Sequence, residues 1–216
     1  MLNILGFSTS PTEGGGFTPI VKYDARAGRL FRIDRIENNG NFANEAVDIT
    51  QSFKAIADFE NMKTGWALFA PGIAPDFNLV PIGKQFPARP SDKHKHGAKL
   101  MIKLAKDCSG DKPIREFAGT SKALLAGFEA VYAQYLAEKD THPGKLPVIV
   151  LEKTTPVRSG TGDRTSINYQ PTFKIVGWAP RGDLGGVAAP DGSPPATGST
   201  QVEAPKAAET VSADEF

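Results

Sequence analysis

Residues 120–139, TSKALLAGFEAVYAQYLAEK, form the stretch with the most sustained helical periodicity in this chain. Leu124, Leu125, Phe128, Val131, Tyr132, Tyr135 and Leu136 recur at three- and four-residue intervals, so an α-helix here carries an apolar stripe along one face. Thr120 or Ser121 supplies a hydroxyl to cap its first turn. The run His142-Pro143-Gly144 stops it.

The segments around this helix alternate instead. RLFRIDRI (29–36) puts Phe31 and Ile33 on one face and Leu30, Arg32 and Asp34 on the other. AVDIT (46–50) and FKAIADFE (53–60) follow, the latter aligning Phe53, Ala55, Ala57 and Phe59. GWALFA (65–70) and NLVPIG (78–83) read as shorter strands. AKLMIKLA (98–105) sets Leu100, Ile102 and Leu104 against Lys99, Met101 and Lys103. After the helix come LPVIVLE (146–152) and PTFKIVGW (171–178). The order is strands, one helix, then two strands. A five-stranded Greek-key barrel of the OB type, with one helix between its third and fourth strands, has this layout once extra strands are counted as insertions. The expected fold is therefore mainly β and OB-like, although other α+β folds can be written over the same elements.

The composition changes after Arg181. DLGGVAAPDGSPPATGSTQVEAPKAAET (183–210) is rich in Gly, Pro, Ala, Ser and Thr and has too little apolar surface to offset the entropy of ordering. This divides the chain into an OB-like body, 1–182, and a disordered acidic interaction tail, 183–216. The formal charge of +1 hides an asymmetry, because the tail holds six acids and one base and the body is left at +6. A basic body with an acidic tail suits a polyanion-binding domain and an interaction segment. No stretch reaches the roughly 18 apolar residues of a membrane span. The start, MLNILGFSTS, lacks the basic region of a signal peptide. With Cys108 as the single cysteine, no internal disulfide forms, and a reducing cytoplasm is the expected compartment.

Three stretches carry candidate chemistry. KTTPVRSGTGDRTSINYQP (153–171), read as the long connection between the last two strands, holds Lys153, Arg158 and Arg164 with Tyr169. Cations there would neutralise phosphates while the ring stacks a base, at about 1–3 kcal/mol per base. KQFPARPSDKHKHGAKLMIK (84–103) interleaves Lys84, Arg89, Lys93, Lys95, Lys99 and Lys103 with Phe86, His94 and His96. A solvated loop is the competing reading of both. MKTGWALFAPGIAPDF (62–77) clusters Trp66, Phe69 and Phe77. Core packing is expected to take two of these rings and leave Trp66 exposed, with Arg32 on a neighbouring surface. The two histidines of HKH with a distant Cys108 are not a zinc ligand set.

Enzyme signatures are missing. GGG (14–16) lacks the Lys-Ser/Thr of a phosphate loop, SGTGDR (159–164) matches no phosphate fingerprint, and neither G-x-S-x-G nor H-E-x-x-H occurs. Asp24, Asp34 and Asp58 are scattered and read as surface groups, although the ligands of a metal-dependent nuclease need not cluster in sequence. No cofactor or metal is expected.

The chain ends in Asp214, Glu215 and Phe216. Two acids and an aromatic at the end of a tether give a partner both a charged rim and an apolar anchor. A basic OB-type body, a Gly/Pro/Ala tether and this tip resemble replicative single-stranded-DNA-binding proteins, the phage versions above all. The likeness covers about residues 20–180 in layout and three residues at the tip. It implies a non-enzymatic, sequence-independent binder that coats single-stranded DNA in replication, recombination and repair. Its tip would recruit a polymerase, helicase-primase or nuclease. Bacterial members end in an acid run followed by Ile-Pro-Phe, which this chain lacks, so a phage partner is the safer inference. The DNA-binding expectation rests on Arg158, Arg164, Tyr169, Lys153, Trp66, Lys93, Lys95, Arg32 and Phe86. Homo-oligomerisation stays open. The rivals are a metal-dependent nuclease, a virion or scaffold protein with an adaptor tail, and a strand-annealing recombination protein.

Overall fold

A computed structural model of the chain describes residues 18–71, 74–159, 165–182 and 184. Along them run β1 (Ile20–Asp24), β2 (Arg29–Asn38), β3 (Asn41–Asp48), β4 (Lys54–Ala57), β5 (Lys63–Leu68), β6 (Asp76–Pro81) and β7 (Lys95–Leu104). Then follow the short α1 (Lys106–Ser109), β8 (Ile114–Gly119), the long α2 (Lys122–Glu138), β9 (Lys145–Ser159) and β10 (Ser166–Pro180). The fold is mainly β, a single curled half-barrel sheet with one long helix among the described residues.

The sheet runs β10-β9-β4-β7-β8-β1-β2-β3, with β5 and β6 off this path, where β5 pairs with β7. Within it, β4, β7 and β8 are antiparallel neighbours, with the β5–β6 hairpin inserted in the chain between β4 and β7, and β9 returns beside β4. The spatial order β9-β4-β7-β8 is that of a Greek key, with α2 between its third and fourth strands. β1 joins β8 in parallel. Near β1 the curl draws β10 inward. The Tyr169 amide donates to the Ala25 carbonyl at 2.6 Å, and the Tyr23 hydroxyl donates to the Tyr169 carbonyl at 2.7 Å. Gly28 permits that approach, since at φ +67° it occupies the left-handed region and a Cβ there would lie 2.9 Å from the Tyr169 Cβ.

Helix α2 follows its sequence pattern. Ser121 accepts from the Leu124 amide, satisfying one donor of the first turn. Leu124, Phe128, Val131 and Tyr135 are buried, Leu125 and Tyr132 partly so, while Leu136 at the stripe's end is exposed. The buried face packs mainly on β10. Gly127 allows the contact to be close, because a Cβ there would sit 2.6 Å from the Pro171 carbonyl oxygen. Beneath the helix, Phe117 meets Phe53, Phe128 and Phe173 with ring centroids 6.3, 4.9 and 6.2 Å away. Replacing Ser121 by Ala should cost about 1 kcal/mol through the lost cap, read as a shift of the urea midpoint at unchanged slope.

Several expectations change here. Residues 153–171, read as a connection, are largely strand, since β9 and β10 pair as far as Ser159 and Ser166. Their inward apolar residues are sparse there, so local alternation did not reveal the pairing. FKAIADFE ends as a strand at Ala57, because Asp58 accepts from the Asn61 amide and turns the chain. Asp58 is not a surface group but 2% exposed, and it receives a 2.6 Å hydrogen bond from Arg181 at the end of β10. Arg181 also reaches Glu60. Asp34 is half-buried between Arg32 and Arg115. Leu184, two residues past the expected body, is buried with Ile56, Leu146, Val148 and Ala179 in a small second cluster. Ile56 alternates there from Ala55 and Ala57, which face the main core.

Candidate nucleic-acid interface

The site begins with the β5–β6 hairpin. Gly65 holds φ +151°, and a Cβ on it would lie 2.5 Å from the Asn78 carbonyl oxygen, so glycine is needed for the hairpin to close beside Trp66. Across the β5–β7 pairing Trp66 faces His96, with ring centroids 4.4 Å apart. Phe86 packs edge-on against both, at 6.5 Å from Trp66 and 5.5 Å from His96. The Trp66 indole N–H donates to the Pro87 carbonyl at 2.9 Å. The Arg89 guanidinium carbon lies 5.2 Å from the Trp66 ring centroid, within cation–π range. The same guanidinium donates to the carbonyls of Asp92 and His94. Buried His94 sits between Ser91 Oγ, 2.8 Å from its Nδ1, and Asp76 Oδ2, 3.0 Å from its Nε2. These contacts fasten the 84–94 loop to β6 and leave Lys95 and His96 exposed.

Facing this cluster across a groove of about 800 Å³ is the first half of α2, with Ser121, Lys122, Leu125 and Glu129. Val157 and its cross-strand partner Asn168, from the β9–β10 hairpin, close one end. Arg89, Lys95 and Lys122 bring three cations to the walls against the single carboxylate of Glu129. Among the described residues neither Lys95 nor Lys122 forms an ion pair with a carboxylate. Lys122 opens a helix whose first turn holds no acid, where the macrodipole disfavours a cation by about 0.3–1 kcal/mol.

The residues expected from sequence divide. Trp66 and Lys95 line the groove, and Phe86 supports Trp66. Exposed Lys93 lies in the loop that precedes β7, two residues before Lys95. Exposed Lys153 alternates onto the face of Val157, whereas Arg158, opposite Ile167, takes the other face of the hairpin. Tyr169 shares that other face and packs against the Gly28 turn. Arg32 lies on β2, donating to Asp34 at 2.7 Å and to the Cys108 carbonyl at 3.2 Å. Arg164, Asp214, Glu215 and Phe216 lie outside the described residues. One expectation is corrected: none of Trp66, Phe69 and Phe77 enters the core. The β5–β6 hairpin stands off the main sheet path, so Trp66 and Phe77 are half-buried and Phe69 is exposed. Phe69 and Phe77 instead meet edge-on at 5.5 Å.

Sequence reasoning missed Lys122 and underused Arg89 and His96. The absence of an acid from the first turn of α2 was the available signal for Lys122. No group of three or more His, Cys, Asp and Glu side chains converges as a metal site among the described residues. Compared with protein-family models, with characterised proteins and with solved structures, the chain matches none of them.

Proposed function

We propose that the chain is a sequence-independent single-stranded-DNA-binding protein of replication, recombination and repair, with an OB-type body. It binds the strand along the groove between the Trp66 cluster and α2. The observation that carries this reading is the half-exposed Trp66 ring beside Arg89, with Lys95 and Lys122 on the same walls. A ring offers a stacking surface to any base, and the cations meet the phosphates that flank it. The Greek-key order with α2 between the third and fourth strands supports the OB-type assignment. The basic body and the Asp214-Glu215-Phe216 tip support a role in which the coated strand is passed to a polymerase, helicase-primase or nuclease, as in the phage proteins that the sequence resembles.

Tryptophan fluorescence during titration with an oligothymidylate tests the reading, with a duplex of equal length as control and no divalent ion. Trp178 is buried beneath a stacked His142, so quenching reports Trp66. The expected result is quenching by the single strand that weakens as salt rises. Equal response to duplex, or none, overturns it. Strand loss on adding a divalent ion would point to a nuclease instead.

On this reading the cations on the groove walls set the salt dependence. Lys95→Gln and Lys122→Gln are each expected to lower the slope of log affinity against log salt by about 0.7, the share of one phosphate contact on a single strand. Arg158→Gln, on the other hairpin face, should lower it less. Parallel titrations of the three variants at several salt concentrations decide this.

A further inference from the structure

We infer that the apolar cavity on the other side of the α2 N-terminus, under Phe69, is a second base-binding subsite that receives an unstacked nucleobase of the strand held in the groove. This rests on the single-strand reading above. The cavity has a volume of about 430 Å³ and lies between β1, β8 and the β5–β6 hairpin. Its floor includes Val21, Ala118 and Leu124, and Phe69 stands at its edge, 45% exposed.

Three observations favour a nucleobase as the occupant. First, the cavity adjoins the groove, since Thr120 and Ser121 belong to the walls of both. A chain crossing those two residues passes from the Trp66 ring to the Phe69 ring. Second, Phe69 is not consumed by packing. Its ring meets Phe77 edge-on, with an interplanar angle of 85°, and remains exposed at the cavity. An edge-on pair leaves a ring face free for stacking. Third, exposed Lys22 lies at the wall and supplies a cation for the phosphate of a base entering there. The other lysine nearby, Lys99, is held 2.5 Å from Glu116 and 4.7 Å from the Phe77 ring centroid. An apolar slot with a ring at its edge and a cation at its wall fits a flat base attached to a phosphate, and such sites are tolerant of sequence.

The test uses the full chain and oligothymidylates of increasing length. Phe69→Ala removes the ring, and Ala118→Phe fills the cavity from β8 without touching the groove. Both are expected to bind the shortest oligonucleotide as the wild type does and to lose about tenfold in affinity for longer ones, within the range of one base–aromatic contact. An oligothymidylate carrying a photoreactive halogenated uracil should also crosslink to Phe69, read by peptide mass spectrometry. Unchanged length dependence in both variants, or crosslinks confined to the Trp66 groove, overturns the subsite while leaving the groove reading intact. Failure of the wild type to bind any length overturns both.

Discussion

Asp34→Ala should destabilise the protein by about 3–5 kcal/mol, because it strands a buried guanidinium. Arg115 is 1% exposed and donates to Asp34 at 2.6 Å, to the Ile33 carbonyl at 3.0 Å and to the Ser109 carbonyl at 2.9 Å. Its Nε has no hydrogen-bond partner among the described residues, and Asp34 is the carboxylate with which its guanidinium pairs. Urea unfolding at neutral pH reads the loss. The double variant Asp34→Ala/Arg115→Met should recover most of it, since an apolar side chain of similar length removes the charge together with its partner. A single-variant cost under about 1 kcal/mol would mean that water reaches Arg115 and the burial argument fails.

The same pair gives the sign of an acid dependence. Burial pushes the Asp34 carboxyl up, but hydrogen bonds from Arg32 and Arg115 outweigh it and hold the group below its ordinary 3.8. A carboxylate whose folded pKa is depressed contributes stability fully above its unfolded pKa, and loses it as the pH falls through the folded value. The stability gap between wild type and Asp34→Ala is therefore expected to be constant near neutrality and to narrow below about pH 4.

Trp66→Ala is expected to weaken single-strand binding by about 1–3 kcal/mol, roughly 5- to 150-fold, with little change in salt slope. The slope stays because the variant removes a stacking surface and no cation. Trp66 also has a structural duty, since its indole N–H holds the Pro87 carbonyl and its ring lies under Arg89. Trp66→Phe separates the two roles: it keeps an aromatic face and loses the hydrogen bond. Equilibrium titration should find affinity near that of the wild type for Trp66→Phe. If it falls as far as Trp66→Ala, Trp66 acts by fixing the 84–94 loop, and the stacking role is wrong.

The parts of this protein that obey local periodicity were legible from the chain. Helix α2 and its Ser121 cap were, because a 3.6-residue stripe and a hydroxyl before it are properties of a short window. So was the alternation of Leu100, Ile102 and Leu104 in β7, all of which are buried. β8 escaped, because buried Arg115 occupies an inward position where an apolar residue was the expectation. Five-residue β1 offered too short a window for the pattern to stand out. Trp66, Lys95 and Phe86 were found as residue types suited to a single strand, but Lys122 reads as an ordinary helix residue until its helix is set across from them.

By itself the sequence determined the long helix and several of the strands, the apolar side of α2 and β7, and that a basic body precedes an acidic Phe-terminated end. Only the tertiary structure decided which strands are neighbours, that Asp58 meets Arg181 across 123 positions, and that Trp66 faces α2 across a groove. Local patterns record which face of a segment avoids water, since that depends on residues a few positions apart. The choice of what covers that face depends on packing among distant segments, each satisfying the others' apolar faces and hydrogen bonds at once, and no single window contains it.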